Sequence, residues 1–142
     1  MPDSAAGERC LGSCHCGAVR FSVPNNLGAV RYSYCVTCRK LSGAAFSVVA
    51  RVPGREFELR QGSDRLAAYE SSPGKCRYYC SLCHAPIYVR LDARPDEVRI
   101  RLGVLDGSPT ALVTAHMWVE EKPPWYQIAD DLPQFSRAYS GA

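Results

Sequence analysis

Hydrophobic residues recur along this chain mainly at every second position, in short runs broken by glycine and proline. Val19, Phe21 and Val23 alternate with polar or small residues and stop at Pro24-Asn25-Asn26, and Val30, Tyr32 and Tyr34 form a second run. Phe46, Val48 and Ala50 lead to Pro53-Gly54, after which Phe57 and Leu59 alternate with Glu and Arg as far as Gly62. Val98, Ile100, Leu102 and Val104 make a run that includes Arg99 and Arg101 at the intervening positions, and Val113, Ala115, Met117 and Val119 repeat the pattern before Pro123-Pro124. Side chains two apart on an extended chain share a face, so each run predicts a strand with one buried side. Pro53-Gly54 reads as hairpin punctuation between two of them. The best helical candidate is the short stretch 37–42. Many short strands at intervals of about 8–12 residues predict an all-β sandwich or partly open barrel.

At 142 residues the chain fits one domain on a prior of about 150 residues per domain. A chain of this size buries roughly 68–70% of its unfolded surface, and 46% hydrophobic residues supply a core. It therefore does not need disulfides to fold. Eight cysteines in 142 residues fall below the roughly 8–10% that marks a disulfide scaffold. The first nine residues carry no apolar export signal, and no apolar run approaches the roughly 18 residues of a membrane helix. A cytoplasmic protein without a membrane partner is expected, in which grouped cysteines serve metal or thiol chemistry. The net charge is +3 and the pI about 8.4. Fourteen of the seventeen basic residues are Arg, interleaved with acids, which argues against a nucleic-acid partner.

Six cysteines form three close pairs: Cys14-His15-Cys16, Cys35-Val36-Thr37-Cys38 and Cys80-Ser81-Leu82-Cys83. Zinc takes four tetrahedral thiolate or imidazole ligands, and a turn with two Cys one or two residues apart delivers half of such a shell. At least one zinc is expected. Spacing leaves the pairing open. Eighteen residues separate Cys16 from Cys35, which suits a sequential zinc ribbon, whereas joining the first pair to Cys80 and Cys83 requires closure across most of the fold.

Several ordered segments resemble the glutathione-dependent formaldehyde-activating enzymes and their centromere-protein-V-like relatives. They are Gly12-Ser13-Cys14-His15-Cys16-Gly17-Ala18-Val19, Cys38-Arg39-Lys40-Leu41-Ser42-Gly43-Ala44, and Tyr69-Glu70-Ser71-Ser72-Pro73-Gly74 followed by Arg77 and the third cysteine pair. Gly103-Val104-Leu105-Asp106, His116-Met117-Trp118-Val119, Trp125 and the segment from Ile128 to Phe135 extend the likeness. The resemblance implies an all-β zinc domain of the Mss-four-like, or β-tent, type with little helix. It would span residues 9–136, with a loose N-terminus at 1–8 and a tail at 137–142.

The same resemblance implies that Cys14, Cys16, Cys80 and Cys83 form a structural zinc site and that Cys35 and Cys38 belong to a second, catalytic one. The implied activity is a carbon-sulfur lyase of the S-(hydroxymethyl)glutathione synthase type, acting on the formaldehyde adduct of glutathione or another small thiol. The chain departs from the pattern at one position. The family's second site is Cys-x-Cys-x-x-Cys, and its first position is Ser33 here. A serine hydroxyl is not among the usual zinc ligands, so a second zinc is expected to be absent or weakly held. The alternatives are a zinc-stabilised β module without catalysis and a Cys35–Cys38 dithiol redox pair.

Arg39 and Lys40 are candidates for pairing with glutathione carboxylates. Ser42 and Gly43 read as the end of a helical turn. Cys10 and Cys76 are expected to be plain core or strand cysteines, and His15 and His84 polar turn residues beside ligand cysteines. His116 should face opposite to Met117, toward solvent or a cleft, and Trp118 and Trp125 are expected to pack. Nothing in the strand pattern marks an oligomer face.

Overall fold

A computed structural model describes residues 8–138. The expected loose ends fall largely outside it, at 1–7 and 139–142. Within it Arg137 is held, its carbonyl accepting the Trp118 N–H at 3.1 Å and its Nε lying 3.0 Å from Glu120 Oε2.

The fold is mostly β, as expected. The strands are β1 (Arg9–Ser13), β2 (Arg20–Pro24), β3 (Asn26–Ser33), β4 (Ser47–Pro53), β5 (Glu58–Gln61), β6 (Leu66–Ser72), β7 (Lys75–Cys80), β8 (Pro86–Leu91), β9 (Glu97–Arg101) and β10 (Thr110–Met117). One α-helix, α1 (Val36–Ser42), lies between β3 and β4, close to the helical stretch read from sequence. It ends at Gly43, whose φ of 65° suits a residue without Cβ and whose N–H reaches the Arg39 carbonyl.

Seven strands form a sheet in the order β10-β3-β4-β9-β8-β7-β6, and β1-β2-β5 form a smaller one. All pairs are antiparallel except β10 with β3. Phe21 and Val23 from the small sheet, with Val19 just before β2, meet Val30, Ala50, Val52, Ile87, Tyr88, Val98 and Ile100 in the core. Phe57 bridges the layers, with ring centroids 5.6 Å from Phe21 and 4.7 Å from Tyr88. The alternation that sends Val98 and Ile100 into this core turns Arg99 and Arg101 to the opposite face of the large sheet. That face carries the chemistry.

Two details differ from the sequence reading. Pro53-Gly54 does not close a hairpin: Gly54 opens a 3-10 turn tied to Asp96 by a 2.7 Å N–H···O bond, and the chain passes from β4 in one sheet to β5 in the other. The hairpin turn is instead Pro73-Gly74 between β6 and β7, where Gly74 has φ 78°. Leu102 and Val104 do not extend β9, because the chain tightens into a 3-10 turn after Arg101. Strands β6 to β8 lie outside the clear alternating runs because tyrosine, arginine and cysteine occupy many of their positions.

Candidate functional site

Two cysteine-bearing turns meet at one edge of the core. The first leaves β1, with Cys14 N–H bonded to the Val19 carbonyl, Gly17 N–H to the Cys14 carbonyl, and Gly17 at φ 83°. The second follows β7, with Cys80 N–H bonded to the Ala85 carbonyl, His84 N–H to the Cys80 carbonyl, and His84 at φ 67°. Cys14, Cys16, Cys80 and Cys83 place their sulfurs within 4.8 Å of one another. The sulfurs of Cys14 and Cys16 lie 3.6 Å apart and those of Cys16 and Cys80 3.8 Å.

A tetrahedral ion with metal–sulfur bonds of about 2.3 Å has sulfur–sulfur edges of about 3.8 Å, so these four thiols fit a metal ion. Backbone N–H groups also point at the sulfurs: Val19 to Cys14 Sγ at 3.2 Å, and Leu82 and Cys83 to Cys80 Sγ at 3.4 Å. Such donors favour thiolate over thiol. Of the two pairings that spacing left open, the fold brings the first pair to the third.

The middle pair sits apart, on the arginine-bearing face of the large sheet. Ser33 ends β3 and Ser47 begins β4, and the two are cross-strand partners. Cys35 caps α1, its Sγ accepting the Cys38 N–H at 3.2 Å. Cys38 is the buried residue of that helix. Glu121 fixes the helix start by accepting the Val36 N–H at 2.8 Å. The Cys35 thiol donates to Cys38 Sγ across 2.8 Å, well inside the sulfur–sulfur distances of the four-cysteine cluster.

A cleft of about 280 Å³ opens on this pair, lined by Cys35, Cys38, Lys75, Arg77, Arg99 and Trp118 among others. Its cations differ in their partners. Arg99 and Arg51 share Glu97, at 3.2 and 3.6 Å. Arg77, and Arg101 from an adjoining cavity that Arg77 also lines, are 8% and 6% exposed, and neither pairs with a carboxylate among the described residues. Arg77 Nε donates to Ser71 Oγ at 2.8 Å. A buried cation without a counter-charge is costly, and the negative group that acts electrostatically on both guanidinium groups is the Cys38 sulfur.

The Cys35 hydrogen bond holds the Cys38 thiol well below the ordinary thiol range, helped by Ser33, Ser47 and Arg77 and opposed by burial. Cys35 is pushed up by that shared hydrogen bond and by burial. The pair therefore holds one thiolate, centred on Cys38, and one proton. Burial, followed by repulsion from Arg77, lowers Lys75.

Other residues singled out in the sequence take different places. Arg39 and Lys40 lie in the last turn of α1 and do not line the cleft. His116 does face opposite to Met117, but it does not face solvent. It is 1% exposed, with Nδ1 2.8 Å from Tyr34 Oη and Nε2 3.0 Å from Asp130 Oδ1. The reason is the C-terminal segment, which runs parallel beside β10 and bonds its backbone to His116 through Pro133 and Phe135, while Asp130 meets the imidazole.

Trp118 borders the cleft, while Trp125 is 71% exposed rather than packed. His15 is exposed on its turn. His84 stacks on Tyr79 and lines a second cavity, of about 310 Å³, that also touches Arg77 and Arg101. Cys10 is in the core and Cys76 lies on β7 opposite Glu70 and Arg90. Ser47, Lys75, Arg99 and Arg101 were not singled out as site residues. The alternation of Arg99 and Arg101 with Val98 and Ile100 was their available signal.

A profile described as glutathione-dependent formaldehyde-activating enzyme matches residues 9–121. A Halomonas elongata protein named "Putative glutathione-dependent formaldehyde-activating enzyme" is 31% identical over 126 residues, covering 82% of this chain and 79% of that protein. A Podospora anserina protein of the same name is 31% identical over 84 residues, 59% of this chain and 38% of its own length. A crystal structure of a Rhodobacter sphaeroides protein shares the fold, with a TM-score of 0.59, 23% identity, and coverage of 68% of this chain and 88% of that one.

Proposed function

The chain belongs to the glutathione-dependent formaldehyde-activating enzyme family, and from that premise we propose that it makes or breaks the carbon–sulfur bond of a thiol–formaldehyde adduct. Glutathione is the thiol the family name indicates. The observation that carries this reading is the Cys35–Cys38 pair, holding one thiolate in a cleft whose cations outnumber its acids. Cys14, Cys16, Cys80 and Cys83 hold zinc in this reading. The ion acts there as a cross-link between two turns and takes no part in the reaction.

The reaction requires one proton to move twice. In the direction of synthesis, the thiolate of the pair accepts the proton of the incoming thiol, and the substrate sulfur forms its bond to the formaldehyde carbon. The carbonyl π pair moves to oxygen, and the pair returns the proton to that oxygen to give the hydroxymethyl thioether. Cleavage runs the same transfers backward. A shared proton between two sulfurs 2.8 Å apart suits both directions, because neither state leaves two thiolates side by side. In this reading Lys75 and Arg77, which line the cleft, meet the substrate's carboxylates.

With Ser33 beside the pair, the second site has two sulfurs and no third thiolate, and the proposed chemistry uses none. Ser33 also favours the rival reading of a non-catalytic zinc module, and turnover separates the two. Adduct formation from glutathione and formaldehyde, followed by exchange NMR, should exceed the spontaneous rate with the parent protein and fall to it in Cys38→Ser. Acceleration that survives in Cys38→Ser would place the chemistry elsewhere. No acceleration by the parent would favour the module.

A further inference from the structure

The two groups of cysteines have different sulfur geometry. In the four-cysteine cluster the close sulfurs are 3.6 and 3.8 Å apart, the edge length of a thiolate tetrahedron around an ion. The Cys35 and Cys38 sulfurs are 2.8 Å apart. Binding one ion between them would require the sulfurs to separate by about 1 Å, whereas a disulfide of about 2.05 Å requires them to close by less than that. Neither is in a disulfide now.

The surroundings point the same way. Ser33 lines the same cleft beside the pair and offers no third thiolate, and buried Arg77 lines it without a carboxylate of its own. Cations around a thiolate favour sulfur nucleophilicity at neutral pH. Lys75, Arg77, Arg51 and Arg99 line the entrance with Glu97 as the acid bonded to two of them. That charge balance selects what can approach the sulfurs.

We propose that Cys35 and Cys38 form a reversible internal disulfide by exchange with small anionic disulfides, the class to which oxidised glutathione belongs. Cys38 thiolate attacks one sulfur of the incoming disulfide and forms a mixed disulfide, expelling the other half as a thiolate. Cys35, giving its proton to that departing thiolate, then attacks Cys38 Sγ and expels the second half. One disulfide is reduced to a thiol and a thiolate, the latter taking a proton from solvent, and the Cys35–Cys38 pair is oxidised by the same two electrons. Formation of the internal bond removes the proton-carrying pair, so the oxidised protein has no lyase activity. That last consequence rests on the reading given above; the exchange itself does not.

The test is peptide mapping of the whole protein, with its metal bound, after incubation with oxidised glutathione and after incubation with cystamine, a cationic disulfide, each followed by alkylation. The expected result is loss of two hydrogens, with no alkylation, in the peptide carrying Cys35 and Cys38, while the cysteines of the four-cysteine cluster keep their state. Oxidation by oxidised glutathione should be faster than by cystamine by about tenfold or more at low salt, and added salt should shrink the ratio.

Cys35→Ser should stop at a mixed disulfide on Cys38, because nothing remains to expel the second half. The salt series uses the parent protein, so the charge argument stands even if a variant fails to fold. Two alkylatable thiols at Cys35 and Cys38 after equilibration with oxidised glutathione would overturn the proposal, as would cystamine reacting equally fast. An ion bound between the pair and released by Cys35→Ser would overturn it as well. A pair that oxidises in a protein without turnover would instead refute only the lyase reading.

Discussion

Replacing Cys80 by serine should cost this protein a large part of its stability, and the loss can be worked from the positions of the cluster. Cys80 is fully buried, and its sulfur accepts the N–H groups of Leu82 and Cys83. An ion shared by Cys16 and Cys80 closes a loop across a separation of 64 residues. In the chain-entropy description of a cross-link, a loop of that length is worth about 4 kcal/mol at 25 °C. This is a lower figure than the apparent affinity of structural zinc, about 10–16 kcal/mol, because it counts only the restriction of the unfolded chain.

Domain stabilities of about 5–15 kcal/mol make even the lower figure large. With an unfolding entropy near 0.3 kcal/mol/K for a chain of this length, 4 kcal/mol corresponds to a fall in Tm of roughly 13 °C. The assay is thermal unfolding by circular dichroism of the parent and of Cys80→Ser, each with and without a chelator. The parent should fall by at least that amount on chelation and come to resemble the variant, which chelator should leave unchanged. A Cys80→Ser protein melting within about 3 °C of the parent, or a parent indifferent to chelation, would refute the structural role.

Two other expectations concern single side chains, Tyr34 just after β3 and Arg77 on β7. Tyr34→Phe removes the hydroxyl that bonds His116 Nδ1 and leaves a polar atom unpaired in a site 1% exposed; it should cost about 1–3 kcal/mol in urea unfolding, and a change under about 0.5 kcal/mol would show that the hydroxyl is not needed there. Arg77→Met removes a charge that lowers the Cys38 thiol. As pH falls through the folded value the thiolate takes a proton and alkylation slows, so in the parent the reactive sulfur should persist below the ordinary thiol range of about 8.5. The variant's alkylation profile, read on the Cys35–Cys38 peptide, should move to higher pH. An unmoved profile would remove Arg77 from the support of the thiolate.

Much of the sheet was legible because its strands are half-buried: Val19, Phe21 and Val23, or Val98 and Ile100, alternate and fall in the core. Strands β6 to β8 were hidden because their exposed and cleft-facing positions hold tyrosines and arginines, which blunt the alternation. Turn chemistry misled at Pro53-Gly54, where the same dipeptide that closes β6–β7 at Pro73-Gly74 instead joins two sheets. A dipeptide fixes a local bend, and the partners of the flanking strands are set by the distant residues they cover.

The cysteine pairs were legible as ligand or thiol chemistry, but spacing left their partition open, because residues 16 and 80 meet only through the fold; the family likeness was what implied the four that come together. The burial of His116 has the same origin: its cover is the segment carrying Asp130, Pro133 and Phe135, and strand alternation within β10 cannot register a later segment that runs beside it. The cleft cations were partly legible. Arg99 falls on the non-core face of a clear strand, but its convergence with Lys75 and Arg77 on the cleft at Cys38 depends on the strand order β4-β9-β8-β7.

The central claim is that the cysteines divide into a metal-holding four and a metal-free pair. It is tested most directly by zinc content per chain, measured on protein purified without chelator for the parent, Cys80→Ser and the double variant Cys35→Ser/Cys38→Ser. One zinc in the parent, retained in the double variant and lost in Cys80→Ser, is the expected result. Two zinc ions in the parent, or a zinc that leaves with Cys35 and Cys38, would contradict it.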